Sequence, residues 1–265
     1  MLVSGDVAPI FIIGCGRSGT SLLGKLLAIH PGVSYICERY DLWAAINPVT
    51  DFNQLYSRGE CHCLLDACSA TSTTKLRFRR LMSPPSGFTL VEKSPINALR
   101  IGFLEAVTPG SRFVHIIRDG VNVAYSIEQK AGLTRRLALR EPLNNWWGVG
   151  DVKWTVLKQD GRAASYYPDE VHQLTTDAQC GAYEWLLSLR EVNAWRARLG
   201  PRLIELRLDD LISDPRKILE SVIDALSLSP CDGEWLNQAI IKVQHATNEF
   251  DTELTPARPN ASRLQ

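Results

Sequence analysis

Between residues 14 and 21 the chain reads Gly14-Cys15-Gly16-Arg17-Ser18-Gly19-Thr20-Ser21, small residues and hydroxyls closing around one guanidinium. A turn of this kind offers backbone N–H groups to a single tetrahedral anion when a strand feeds it and a helix leaves it. Both flanks are present. Pro9-Ile10-Phe11-Ile12-Ile13 is short, β-branched and aromatic, and reads as a buried parallel strand. Leu22, Leu23, Leu26 and Leu27 recur at helical spacing, so a helix opens near Thr20. A nucleoside triphosphatase places a Lys directly after the second conserved Gly to reach the β- and γ-phosphates. Here that position is Thr20, and the nearest cation is Arg17, inside the loop. The spacing therefore predicts a loop for a phosphate-like group rather than for a triphosphate held in the usual manner. The competing reading is a glycine turn with a purely structural role.

A second anion site is encoded downstream. Ser111 to Ile117 is a strand that empties into Arg118-Asp119-Gly120, and Val121-Asn122-Val123-Ala124-Tyr125-Ser126 follows. Arg118 falls on the carboxyl edge of the strand, where open α/β sheets bind ligands. A helix beginning near Val121 brings Ser126 back toward it. A guanidinium fork and a hydroxyl converging there suit a phosphate. The plainer alternative is a surface Arg118 beside a helix-capping Asp119.

Together these segments resemble the sulfotransferases that use PAPS (3′-phosphoadenosine 5′-phosphosulfate). Gly14 to Ser21 resembles that family's 5′-phosphosulfate loop, and Arg118 to Ser126 its 3′-phosphate motif. Val91-Glu92-Lys93-Ser94-Pro95-Ile96-Asn97 is similar to the Lys-Ser/Thr-Pro segment of the Golgi-type and bacterial branches. Leu206 to Pro215 resembles the segment before the family's last conserved helix. The matches come in the family's order and span residues 9 to 228.

The resemblance implies transfer of a sulfuryl group from PAPS, leaving the bisphosphate PAP, by in-line displacement and without a metal. The acceptor would be a hydroxyl or amine on a small molecule, carbohydrate, lipid or peptide, with no nucleic-acid partner. Gly16, Arg17, Ser18, Gly19, Thr20 and Ser21 would hold the 5′ end of the donor, and Arg118 and Ser126 the 3′-phosphate. Arg17 stands in place of the Lys of many cytosolic members; it can clamp charge but cannot donate a proton. Lys93 would supply a second cation. Glu38, at the end of the strand Val33 to Ile36, looks like the general base of the tyrosylprotein and glycan branches; a salt bridge to Arg39 or Lys93 is its structural alternative. His30 competes as base, but it precedes Pro31-Gly32 at the far end of the first helix, over ~10 Å from the loop. Two departures stand out. The family's closing basic or tryptophan-containing segment is represented by Arg258 and Arg263 alone, and Leu208 replaces a frequent Tyr. From other classes, a nucleotide kinase or a non-catalytic nucleotide-binding protein competes. A kinase would want a Lys at Thr20 and an acid where Arg118 stands.

Composition fits one domain over residues 1–265, with 29 Lys and Arg against 29 Asp and Glu, so no global field argues for nucleic acid. No apolar run reaches membrane-spanning length and no signal-like start is visible, so the expectation is a soluble, cytoplasmic protein, with room for a missing upstream anchor. Seven cysteines, an odd number, do not form a secreted disulfide framework. Cys61-His62-Cys63 with Cys68 lacks zinc-ribbon spacing and reads as reduced thiols; Cys15 and Cys37 have no His to activate them.

The elements needed to position these residues are those of an α/β fold: three layers, a central parallel sheet flanked by helices, of the P-loop nucleotide-binding type. Strands are expected at 9–13, 33–36, 88–91, 111–117 and 202–206, and helices from Thr20, over 101–107, from Val121, over 178–199 and over 215–226. Residues 50–87 read as helices and loops above the sheet. Residues 139–176, rich in Trp, Tyr, Gly and Pro, read as a lid-like insertion over the active face. Trp146 and Trp147 could stack on a ring or simply pack. The basic clusters Lys75, Arg77, Arg79, Arg80 and Arg135, Arg136, Arg140 could steer an anion or form solvated faces.

Overall fold

The computed structural model describes residues 8–56, 59–138, 145–228 and 233–254. Its centre is a five-stranded sheet, β1 (Ile10–Ile13), β2 (Val33–Cys37), β3 (Thr89–Lys93), β4 (Arg112–Ile117) and β5 (Leu203–Arg207). The spatial order is β2-β3-β1-β4-β5, with all neighbours parallel. Every residue of β1 and β3 is buried, as expected for strands covered on both faces.

Alternation along β1 sorts the two cores. Ile10 and Ile12 face α1 (Thr20–Leu27), where Leu22, Leu23, Leu26 and Leu27 form the buried stripe. On that side the layer is completed by α8 (Leu208–Ser213), α9 (Pro215–Leu226) and α10 (Gly233–Leu254). Phe11 and Ile13 face the opposite layer, built from α2 (Tyr40–Ile46), α3 (Ser72–Met82), α4 (Ile101–Val107) and the end of α7 (Asp177–Leu199). The three-layer α/β architecture is thus realised, and α5 (Gly120–Ala138) and α6 (Val152–Ala163) add to it beside α7.

The expected helices and strands are found within a few residues. One boundary shift matters. The apolar pattern ends at Val91, yet β3 runs on through Glu92 and Lys93, because Lys93 keeps its place opposite Ile12 on one side and Cys37 on the other. Charged residues at a strand end look like loop in a sequence; the ladder on both sides holds them in line. Four of the described helices had no expected counterpart: α2, α8, α10 and, inside the segment read as a lid-like insertion, α6. The first two have seven and six residues, too short for periodicity to announce. Within the described residues, no helix is long and apolar enough to cross a membrane.

Candidate functional site

β1, β3 and β4 deliver their carboxyl ends side by side, and the loop Gly14 to Ser21 rises from the central one. Its glycines are required by its course. Gly14 (φ 145°) and Gly19 (φ 95°) occupy conformations that side chains resist, and a Cβ on either would lie 2.6 Å from an atom of Ile116 or Leu208. Leu208 is buried and packs its Cδ1 against Gly19.

The loop ends in the N-terminus of α1, whose N-cap Gly19 provides no side-chain bond and whose first turn holds no acid. The first amides of a helix are left without intrahelical partners, and they carry the positive end of its dipole. Ser18 and Thr20 are buried in the loop, whereas Ser21 is exposed at its mouth.

Cations gather on this edge. Arg17 has φ 69°, a left-handed backbone that costs a non-glycine residue about 1–2 kcal/mol. Its Nε donates to Ser126 Oγ at 2.9 Å, across 109 residues. Arg118 Nη1 donates to the Arg17 carbonyl at 3.1 Å. Burial, and then the Arg17 charge, pull the Arg118 guanidinium below its usual value, with Asp209 and Asp119 opposing. Two cations thus share the loop with the uncapped amides of α1. Asp119 still caps α5, its Oδ1 accepting the Asn122 N–H at 2.9 Å, so the capping reading holds along with the inward-turned Arg118.

On the other side of the loop, Lys93 is fully buried; its Nζ donates to Ser21 Oγ at 2.9 Å and to Glu38 Oε1 in a short ion pair. The Glu38 side chain is 40 % exposed and so faces the open edge. Its φ of 47° is again left-handed. Arg39, the other partner expected for Glu38, turns instead to Asp41. His30 lies before β2, at the opposite edge of the sheet, where its Nδ1 accepts the Gly32 N–H and its ring packs on Trp235. It has no route to this site.

Glu92 was not among the residues singled out in the sequence. It is fully buried one residue before Lys93, on the opposite face of β3. Its carboxylate accepts from Trp43 Nε1 (3.0 Å), Ser94 Oγ (2.5 Å) and Asn97 Nδ2 (2.9 Å). Burial pushes its pKa up while those three bonds pull it back. The signal was an acid inside an apolar strand, followed by Ser and Asn, which are donors. Glu92→Ala leaves three buried donors unpaired and is expected to cost about 3–5 kcal/mol in denaturant unfolding, with Glu92→Gln costing less.

The remaining expected residues separate into site and scaffold. Trp147 is buried and bonds Asp177 through Nε1 at 2.8 Å, and Trp154 lies between it and Tyr183, tilted to the first and edge-on to the second. Trp146 lies on the loop at Gly16, and Trp147 shares a buried cluster with Cys15. Lys75 and Arg79 border a cavity of about 510 Å³ at the amino edge of the sheet, beside Pro9 and Phe88, far from the loop. Arg77 and Arg80 face Tyr56. Arg135 is spent on Asp177. His62 turns to Asp160 at 2.8 Å, and Asp160 also accepts the Cys63 and Leu64 amides, which staples this cysteine-rich loop to α6. Burial pushes the Cys15 thiol well up, as suits an inert side chain. Arg140, Arg258 and Arg263 lie outside the described residues.

Fold and site define a P-loop-type α/β protein with two arginines at its glycine loop and an adjacent carboxylate–ammonium pair. The model of the sulfotransferase family matches residues 9–147, and the chain belongs to that family. A search of curated protein sequences gives no match. Among solved structures, the sulfotransferase domain from the curacin biosynthetic pathway superposes with a TM-score of 0.55 at 16% identity, over 87% of this chain and 77% of that one. A sulfotransferase from Alicyclobacillus acidocaldarius gives a TM-score of 0.48 at 14% identity over 91% and 96% of the two chains. Mouse sulfotransferase SULT7A1 complexed with PAP gives a TM-score of 0.46 at 13% identity over 97% of this chain and 71% of that one.

Proposed function

We propose that this chain is a PAPS-dependent sulfotransferase that moves a sulfuryl group to a hydroxyl or amine of its acceptor, with Glu38 as general base. The observation that carries this reading is the pairing of Arg17 and Arg118 at the uncapped start of α1. It suits a nucleotide with two separated anions. When bound, PAPS supplies the activated sulfuryl group and PAP as its leaving group.

The chain's own residues do the rest. Backbone amides from Gly16 to Ser21, with the Ser18, Thr20 and Ser21 hydroxyls, hold the 5′ end of the donor. Arg118 and Ser126 hold the 3′-phosphate. Arg17 lies between the two groups and neutralises charge on the sulfuryl and bridging oxygens as it builds. It stays protonated throughout. Lys93 ties Ser21 to Glu38, so the loop and the base keep one spacing. Glu38, open to the acceptor side, takes the proton of the attacking group at its exposed oxygen. Because sulfuryl transfer, like phosphoryl transfer, leaves little covalent work to the protein, positioning and fixed charge carry most of the rate enhancement. In this reading the segment that carries Trp146 covers the loop within one domain, and the acceptor is a small molecule, carbohydrate, lipid or peptide.

Thermal-shift titration with PAP and, separately, with ATP plus Mg²⁺ tests the donor. PAP is expected to raise Tm with the logarithm of its concentration above Kd, adding about 2.7 kcal/mol of stability at a hundred times Kd. Stabilisation by ATP plus Mg²⁺ alone would replace this reading with a nucleotide kinase or a P-loop binder. Transfer of label from ³⁵S-PAPS into fractionated extract then reveals the acceptor.

A further inference from the structure

We propose that Trp146 is a positioning residue of the anion loop: its indole N–H donates to the 5′ anion held there, and its ring shuts that anion off from water. The proposal rests on the reading of Gly14 to Ser21 as the donor's 5′ site.

Gly16 is the first support. Gly14 and Gly19 are glycine because their φ values are positive, but Gly16 has a backbone that any residue could adopt. What forbids a side chain there is Trp146, whose Cη2 and Cζ2 would stand 2.8 and 3.0 Å from a Cβ. The loop is thus cut to admit this indole. Cζ2 is bonded to the carbon that carries Nε1, so the N–H lies along the same edge of the ring.

That N–H is the second support. Nε1 is buried and has no hydrogen-bond partner among the described residues. A buried donor left unpaired costs about 1–3 kcal/mol, which an arriving acceptor oxygen would recover. Trp147, its neighbour, shows the contrast, since its Nε1 is satisfied by Asp177 at 2.8 Å.

The third support is how firmly the ring is held. Thr134 Oγ1 accepts the Trp146 backbone N–H at 3.0 Å. The Lys153 ammonium sits 4.9 Å from the centre of the ring and is itself locked to Glu184 in a buried ion pair at 2.8 and 2.9 Å. The indole is therefore clamped between a cation and the loop. A cation over the ring also polarises its N–H toward stronger donation.

Calorimetric titration of wild type, Trp146→Phe and Thr134→Val with PAP and with adenosine 3′-phosphate, which lacks the 5′ anion, tests this. Trp146→Phe removes the N–H together with the outer ring that lies on Gly16, so both parts of the proposed role are lost at once. It is expected to weaken PAP about tenfold and to leave adenosine 3′-phosphate unchanged. Thr134→Val, remote from the loop, is expected to weaken PAP by a smaller factor with the same selectivity. Equal losses on both ligands would reduce Trp146 to packing and overturn the proposal, as would unchanged PAP affinity in Trp146→Phe. Absence of PAP binding to wild type would instead remove the donor site on which the proposal stands.

Discussion

Glu38→Gln is expected to lower kcat for sulfuryl transfer by about 10²–10⁴-fold while leaving the affinity for PAP within a few-fold of wild type. The amide keeps an oxygen for the Lys93 ammonium, so the buried cation does not lose its acceptor. It removes only the capacity to take a proton from the acceptor. The geometry supports that capacity: the carboxylate is partly exposed at the carboxyl edge of β2, tied through Lys93 to the hydroxyl at the mouth of the anion loop. A strained backbone at Glu38, with φ 47°, is the kind of feature that persists where a side chain must be aimed. If Glu38 serves only as the structural partner of Lys93, the same substitution lowers thermal stability and spares kcat. Single-turnover transfer and a melting curve on the same preparation separate the two.

Arg118→Ala is expected to weaken PAP by about 100-fold, near 3 kcal/mol, and AMP by far less. The difference between the two ligands is the 3′-phosphate, and Arg118 with Ser126 is the pair assigned to it. Arg118 also supports the loop through the Arg17 carbonyl, so some loss on AMP is built into the expectation. Ser126→Ala is the gentler companion. It removes the oxygen that Arg17 Nε donates to, and about tenfold is expected on PAP. Equal losses on PAP and AMP after Arg118→Ala would place the second anion elsewhere. Surface-type screening does not erase these effects, because Arg118 is already partly withdrawn from water, as its lowered pKa reflects.

Much of this site was legible before any coordinates. Strand, glycine turn and helix are local patterns, and β1, the loop and α1 fall where the apolar periods and the glycines place them. α5 starts at Gly120, close to the expected Val121, and returns Ser126 to the loop, where its Oγ accepts from Arg17 Nε. The sequence offers Lys93 as one of two partners for Glu38, but nothing in it announces the bond from Lys93 to Ser21. The Arg39 alternative was equally available along the chain, and only the side-by-side ends of β2 and β3 select Lys93. Glu92 escaped because an acid in a strand announces no partner; Ser94 and Asn97 follow it closely, but Trp43 stands 49 residues away and only the packing of α2 brings it in.

By itself, then, the order of residues determined which segments become strands, where the anion loop turns, and which cations are available to it. Those properties depend on side-chain period and on the φ values that glycine permits, both set within a few residues. The tertiary structure alone decided that Arg17 reaches Ser126, that Lys93 joins the loop to Glu38, and that Trp146 rather than Trp147 lies on Gly16. Such meetings cross 55 to 109 residues for the first two, and are set by the order of parallel strands and the close packing between layers, for which no local pattern exists.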